Sequence, residues 1–309
     1  MTGSELADPM ASVRAYLAAE KSVNTRRAYR ADWADFQAWC ESVNLQALPA
    51  SPATAARYLA WLADQGLRAS TIERRAAAIR YAHKAASHEP PTNAEAVKAT
   101  MRGIRRTLRQ APVRKAPATA ARVAAMLERL PGTIAGLRDR ALLLIAFAAA
   151  LRRSELVDLN VNDVERHKDG IVLEIRSSKT DQEGRGARIP VPNGVRFKPV
   201  ATLDAWLAAA KISEGPLFRP IDRHGNIGAR ALTDRSVARV IKRAAKAAGL
   251  DEKLFSGHSP RAGFVTQALD DKVDPLKIMG ITRHAKVDTL RIYDRRELAF
   301  DTHAGKDFL

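Results

Sequence analysis

At 309 residues the chain favours about two domains and can bury a substantial core. Its 51 Lys+Arg against 34 Asp+Glu give a net charge of +17 and a pI near 10.4, which points to a polyanionic partner, nucleic acid first and acidic membrane second, with solubility alone as the bland alternative. The single cysteine, Cys40, excludes a disulfide or thiolate metal cluster and fits a reducing cytoplasm, while MTGSELADPM carries no apolar signal segment and the longest apolar run, 141–151, is too short to span a bilayer.

Residues 1–110 read as helices only, over 13–20, 25–41, 52–65, 70–86 and 93–108, broken by Asn44, Pro49, Gly66 and Pro90-Pro91. Ser70 is placed to cap the fourth helix, with Glu73 at the capping-box position. Trp33, Phe36, Trp39, Leu59, Trp61, Leu62, Ile72 and Ile79 would fill the core of a small bundle, with base stacking as the other reading of Trp39. Arg26, Arg27 and Arg30 mark one helix and Arg74, Arg75, Arg80 and Lys84 another. Singly these are solvated surface charges; together they suit helices laid against a DNA backbone. The run from Lys98 to Lys115, which includes Arg105 and Arg106, holds seven basic residues and no acid. It reads as a helix end passing into a basic linker, 111–117, that either tracks a duplex or is a plain tether.

Residues 118–309 form the second domain. Thr119 can cap a helix through Leu130, and an apolar helix from Leu137 through Ala150 ends in Leu151-Arg152-Arg153-Ser154-Glu155-Leu156. An arginine at the end of so apolar a helix answers the dipole or awaits an anion. GIVLEIR at 170–176 and ARIPVP at 187–192 alternate as strands around a polar turn that carries Lys179, by itself an ordinary surface charge. Helices follow at 200–210 and 233–248. The second is capped by Thr233 and shows a basic face of Arg235, Arg239, Lys242 and Arg243. His224, in the loop 220–228, reads as a surface residue.

The stretch from Gly257 to Tyr293 contains three helix starts. Ser259-Pro260 and Asp274-Pro275 each pair a cap with an early proline, and Asp288 opens a third helix carrying Tyr293 on its second turn. His258 and Arg261 flank the first of these starts, where free N–H groups and the positive dipole end favour a phosphate. Imidazole and guanidinium donors match phosphate oxygens. His284 stands nine residues before Tyr293. Together they propose a phosphate, its clamp and a hydroxyl that can attack it.

His258-x-x-Arg261, then His284 and Tyr293, with Arg152-x-Ser154-Glu155-Leu156 upstream, resembles the tyrosine recombinase (phage integrase) family. The resemblance implies a mainly α fold with a small antiparallel β-sheet: an all-helical core-binding bundle, weakly marked here, and an α+β catalytic domain. It implies a catalytic set of Arg152, Lys179, His258, Arg261, His284 and Tyr293, supported by Glu155, and a groove-reading role for the helix bearing Arg235. Two departures stand out. Ala150 replaces the family's glycine before Leu151-Arg152, and Thr282-Arg283 precede His284 where many members have Leu-Gly. The implied partner is double-stranded DNA with paired recombination sites, bound by a homo-tetramer that is monomeric or weakly associated when free. The setting would be cytoplasmic and nucleoid-associated, with no membrane, cofactor or metal.

The anionic oxygens of a phosphodiester repel a nucleophile, and two guanidinium forks with imidazole donors offset the charge that builds in the transition state. Cationic neighbours and a histidine ease loss of a tyrosine proton, whose ordinary pKa is ~10. A lysine can protonate the departing 5′-oxygen, and a 3′-phosphotyrosyl link conserves the bond for rejoining without ATP. The sequence holds neither an Asp/Glu cluster with two-metal spacing nor a Gly-rich phosphate loop, against polymerase, metallonuclease and P-loop chemistry. A type IB topoisomerase-like enzyme and a catalytically silent DNA-binding regulator remain the alternatives. No separate arm-binding module is expected before the first bundle. The tail 297–309 needs a surface to pack on, expected on a neighbouring protomer.

Overall fold

The computed structural model describes residues 20–109, 114–176 and 186–293. Backbone contacts divide the chain into two units, Met1–Val113 and Arg114–Leu309. The first is helical, the second mostly helical with one small sheet.

In the first unit α1 (Val23–Ser42) and α2 (Pro52–Asp64) begin at serines whose hydroxyls accept from the N–H three residues on, Ser22 at 3.2 Å and Ser51 at 3.0 Å. Two further helices, α3 (Ala69–Ala85) and α4 (Glu95–Leu108), complete the bundle. Phe36, Trp39, Tyr58, Leu59, Leu62, Ile72, Ile79 and Met101 form its core. Two expectations are corrected. Trp61 is 38% exposed, a rim residue stacked on Tyr58 rather than a core filler. Ser70 lies inside the first turn of α3, because that helix starts one residue earlier behind Arg68 and has no side-chain cap; Glu73 ion-pairs with Arg105 instead. The expected helix at 13–20 falls outside the described residues, apart from Glu20.

His83 shows how the bundle satisfies buried polar atoms. Its Nδ1 lies 2.8 Å from the Ile79 carbonyl, and its Nε2 accepts from the Ala50 N–H at 2.9 Å, so Nδ1 carries the proton. Burial lowers its pKa in keeping with a neutral ring.

In the second unit α5 (Ala120–Glu128) leads to α6 (Ile134–Ala148), whose capping hydroxyl is that of Thr133. The stretch from Ala141 to Ala146 is buried on every side, because α6 packs between α8 (Pro199–Ala209) and α10 (Ser259–Asp270). A six-residue helix, α7 (Arg153–Asp158), follows the end of α6. The sheet is an antiparallel meander of β1 (Val164–His167), β2 (Gly170–Ile175) and β3 (Ala187–Pro192), with Val164 opposite Leu173 and Leu173 opposite Ile189. The sequence reading missed β1 because VERH is short, polar and mostly exposed. The unit continues with α9 (Asp234–Ala247), α11 (Pro275–Thr282) and α12 (Asp288–Arg291).

Close backbone approach fixes α10. A Cβ on Gly263 would lie 1.8 Å from the Ala118 carbonyl oxygen, so only glycine admits this contact. The Ala118 N–H donates to Ser259 O at 2.9 Å and pins the start of the same helix. That start is also corrected. His258 is the N-cap residue, and Ser259 is buried in the first turn, its Oγ accepting from the Ser256 N–H. Helix α12 ends at Arg291, leaving Tyr293 in the turn beyond it rather than on a second turn.

The chain leaves α6 through Ala150 at φ 47°, while the Leu151 N–H reaches back to Ala146 O. This is a left-handed helix exit normally given to glycine. Ala150→Gly should therefore raise stability by about 0.5–1 kcal/mol, less strain offset by a more flexible unfolded chain. The check is a higher urea midpoint with an unchanged slope; a lower midpoint would refute strain at this position.

Candidate active site

Three segments meet at the beginning of α10: the exit from α6, the loop after α11, and the turn after α12. Arg261, in the first turn of α10, is 1% exposed. Its guanidinium donates to Ala150 O at 2.7 Å and to Thr282 O, and lies 3.1 Å from His284 Nε2. The Thr282 hydroxyl donates to Ile278 O and so accepts from His284 Nδ1 at 2.8 Å. His284 is thereby set as the neutral Nδ1–H tautomer, its Nε2 accepting from Arg261.

Arg152 immediately precedes α7. The Glu155 carboxylate receives its backbone N–H at 2.8 Å through Oε2 and its Nη1 at 2.7 Å through Oε1, which makes Glu155 both helix cap and counter-ion. Tyr293 is 9% exposed and anchored by apolar contact with Ala262, Val265, Ile278 and Leu290. Its hydroxyl is 2.8 Å from His258 Nε2, and its ring centroid is 5.6 Å from that of His284.

The electrostatics follow from crowding cations in a partly buried hollow. Burial first, then the Arg261 and Arg152 charges, push His258 down to about 4. His258 keeps an exposed flank, which softens the burial contribution and leaves the guanidinium fields acting in the same direction. Burial, followed by Arg261 and Arg152, also takes His284 down to about 4. Arg261 falls to about 10 through burial and the neighbouring cations Arg152 and Arg283, and stays charged near neutrality. Neutral imidazoles beside charged guanidiniums can take a proton from a hydroxyl while the arginines hold an anion.

Arg152, His258, Arg261, His284 and Tyr293 are thus brought together with Glu155. Lys179 lies outside the described residues. The sequence reading missed Arg283, whose guanidinium pairs with Glu155 Oε2 at 2.6 Å. The available signal was a basic residue where the chain must leave α11, a position at φ 58°.

The residues proposed for DNA contact have mixed settings. Arg30, Lys84 and Arg106 are exposed, and Arg26 is half-buried. Arg27 bonds Asn24, Arg74 bonds Asp32, Arg80 bonds Thr92 and Arg105 bonds Glu73, all from exposed positions. Arg75 is different: it turns inward onto Asp35 and the Tyr58 hydroxyl, so its charge is used within the bundle. On α9, Arg235 is exposed in the first turn, as is Lys242 further along; Arg239 bonds Ser236 and Arg243 pairs with Asp139 at 2.5 Å.

The sequence profile described as the phage integrase family matches residues 118–298, and the phage integrase N-terminal SAM-like domain matches 14–90. The chain belongs to the phage integrase family of tyrosine recombinases. It is 38% identical over 291 residues to an integrase/recombinase xerD homolog of Selenomonas ruminantium, a match covering 92% of this chain and 85% of the relative. Recombinase cre of Escherichia phage P1 is 26% identical over 246 residues, 73% of this chain and 70% of cre. A lambda integrase(75-356) dimer bound to a COC′ core site shares the fold, with a TM-score of 0.63 at 16% identity over 94% of this chain and 95% of that one.

Both histidines hold pKa values below the ordinary 6.5, so protons favour the unfolded chain between the two values. Their contribution is fully present above about 6.5 and is lost as pH falls toward about 4. Thermal melts across this window should fall less steeply for a His258→Asn/His284→Asn variant than for the native chain. Parallel curves would refute the depressed values.

Proposed function

We propose that the chain is a tyrosine-type site-specific DNA recombinase whose nucleophile is Tyr293. The observation that carries this is the 2.8 Å contact between the Tyr293 hydroxyl and His258 Nε2, next to Arg261 and Arg152. A scissile phosphate seated between the guanidiniums would have its non-bridging oxygens bound by Arg152 and Arg261. The Tyr293 oxygen attacks phosphorus as its proton passes to neutral His258. The bond to the 5′-oxygen breaks, and Lys179, as the resemblance implies, supplies the proton that leaves with it. The products are a 3′-phosphotyrosyl link and a free 5′-hydroxyl. Attack by a 5′-hydroxyl of the partner strand reverses these steps and joins the strands. His284, oriented by Thr282, helps hold Arg261 in place.

The finer reading is a homo-tetramer acting on paired double-stranded sites, monomeric or weakly associated when free. Contacts by the bundle and α9 would position the duplex, and the tail would link neighbouring protomers. A DNA-bound, nucleoid-associated setting accords with the +17 charge, and no helix among the described residues is long and apolar enough to cross a membrane.

Tyr293→Phe should abolish strand cleavage while leaving site binding nearly intact, measured by denaturing gels beside gel shifts on the same DNA. Persistent cleavage would remove Tyr293 from the role. Cleavage and joining should proceed in EDTA without ATP, since side chains supply the charge stabilisation; a strict Mg²⁺ requirement in the chemical step would sink the mechanism. Arg235→Ala should relax preference at one or two base pairs by about 1–3 kcal/mol, measured by binding to a substituted-site library. A uniform loss across all sequences would make Arg235 a phosphate contact.

A further inference from the structure

Arg283 has an unusual place for a long charged side chain. It terminates α11 in left-handed backbone at φ 58°, with its N–H on Met279 O, a position that favours glycine and costs other residues about 1–2 kcal/mol. A solvated arginine gains nothing there. Instead of reaching into water, its side chain is 13% exposed and pairs with Glu155 at 2.6 Å. Two of its nitrogens, Nε and Nη1, are buried with no hydrogen-bond partner among the described residues, a second cost of holding it inward.

The geometry explains what these costs maintain. Glu155 is 3% exposed, and its two oxygens carry three donors: Arg152 Nη1 on Oε1, and the Arg152 N–H together with Arg283 on Oε2. The carboxylate therefore joins the start of α7, which presents Arg152, to the residue preceding His284, 128 positions away in sequence. Without Arg283, Glu155 keeps Arg152 as its one side-chain ion-pair partner among the described residues, and the loop that supplies Thr282 O and His284 Nε2 to Arg261 loses its ion pair to α7.

We propose that Arg283 is a further positioning residue of the recombination site, acting through Glu155 to hold the His284 segment and Arg152 in one arrangement. The inference rests on the site reading above. Without touching the reacting atoms, the strap fixes the separation between one phosphate-binding guanidinium and the segment that orients the other. Misplacement of such groups by about an ångström can lower rates on the order of 100-fold.

The test compares single-turnover cleavage of a nicked site with binding to the same DNA, for the native chain and for Arg283→Gly, Arg283→Lys, Glu155→Gln and Arg283→Gly/Glu155→Gln. Arg283→Gly suits its backbone position, so it relieves strain while removing the strap. Its cleavage rate should fall on the order of 10- to 100-fold with little change in affinity. Arg283→Lys should recover part of that loss, and Arg283→Gly should cost nothing further once Glu155 is glutamine. Native-rate cleavage by Arg283→Gly, an equal loss in affinity and rate, or multiplying losses in the double variant would overturn the proposal. Should Glu155→Gln fail to fold, the lysine variant decides, since no recovery over glycine also overturns it. Tyr293→Phe assayed in parallel separates the two claims. If Tyr293→Phe still cleaves, the site reading fails; if it is silent while Arg283→Gly runs at the native rate, only the strap fails.

Discussion

The buried guanidinium of Arg261 is the constraint around which the second unit is arranged. A fixed cation at 1% exposure needs acceptors on several sides, and here they come from chain segments far apart in sequence: Ala150 O at the end of α6, Thr282 O at the end of α11, and His284. Each must hold a specific backbone position for Arg261 to remain charged. The left-handed exit at Ala150 and the close approach of Gly263 to Ala118 are local features that keep those positions. Apolar packing of α6 between α8 and α10 supplies the rigid frame, but the polar network decides which loop conformations the frame presents.

That network leaves positive charge in excess. Arg152, Arg261 and Arg283 all feel the field of Glu155, and Glu155 bonds directly to two of them. Neighbouring imidazoles respond by staying neutral, the state in which His258 can accept a proton and His284 can accept a hydrogen bond from Arg261. A phosphodiester would complete the cluster electrostatically while finding a hydroxyl already in contact with a base. On the proposed reading the same arrangement would serve binding, orientation and proton transfer, so a perturbation at one member would reach the others.

Much of this was legible in sequence because its signals are local. Asp274-Pro275 announces its cap, and the structure shows the Asp274 carboxylate accepting from Leu276 and Lys277. The spacing of His258, Arg261, His284 and Tyr293 identified the family, and the basic face of α9 was visible as a helical repeat. What escaped depends on tertiary context. Ser259 resembles a cap by type, yet close contact with Ala118 draws it into the first turn. Trp61 has core spacing but faces the bundle rim. The VERH strand is an edge strand, hydrogen-bonded to β2 on one side, and its one half-buried and three exposed residues show no apolar alternation. Arg283 looked like a departure from a family pattern, and only the fold reveals its partner across the unit.

The most direct test of the account is to identify the covalent attachment itself. A nicked recombination site that loses its 5′-hydroxyl fragment on cleavage would trap the DNA on the protein. Protease digestion and mass spectrometry would then locate the linkage. The account predicts a 3′-phosphate esterified to Tyr293; a 5′-phosphate linkage, or attachment to any other residue, would contradict it.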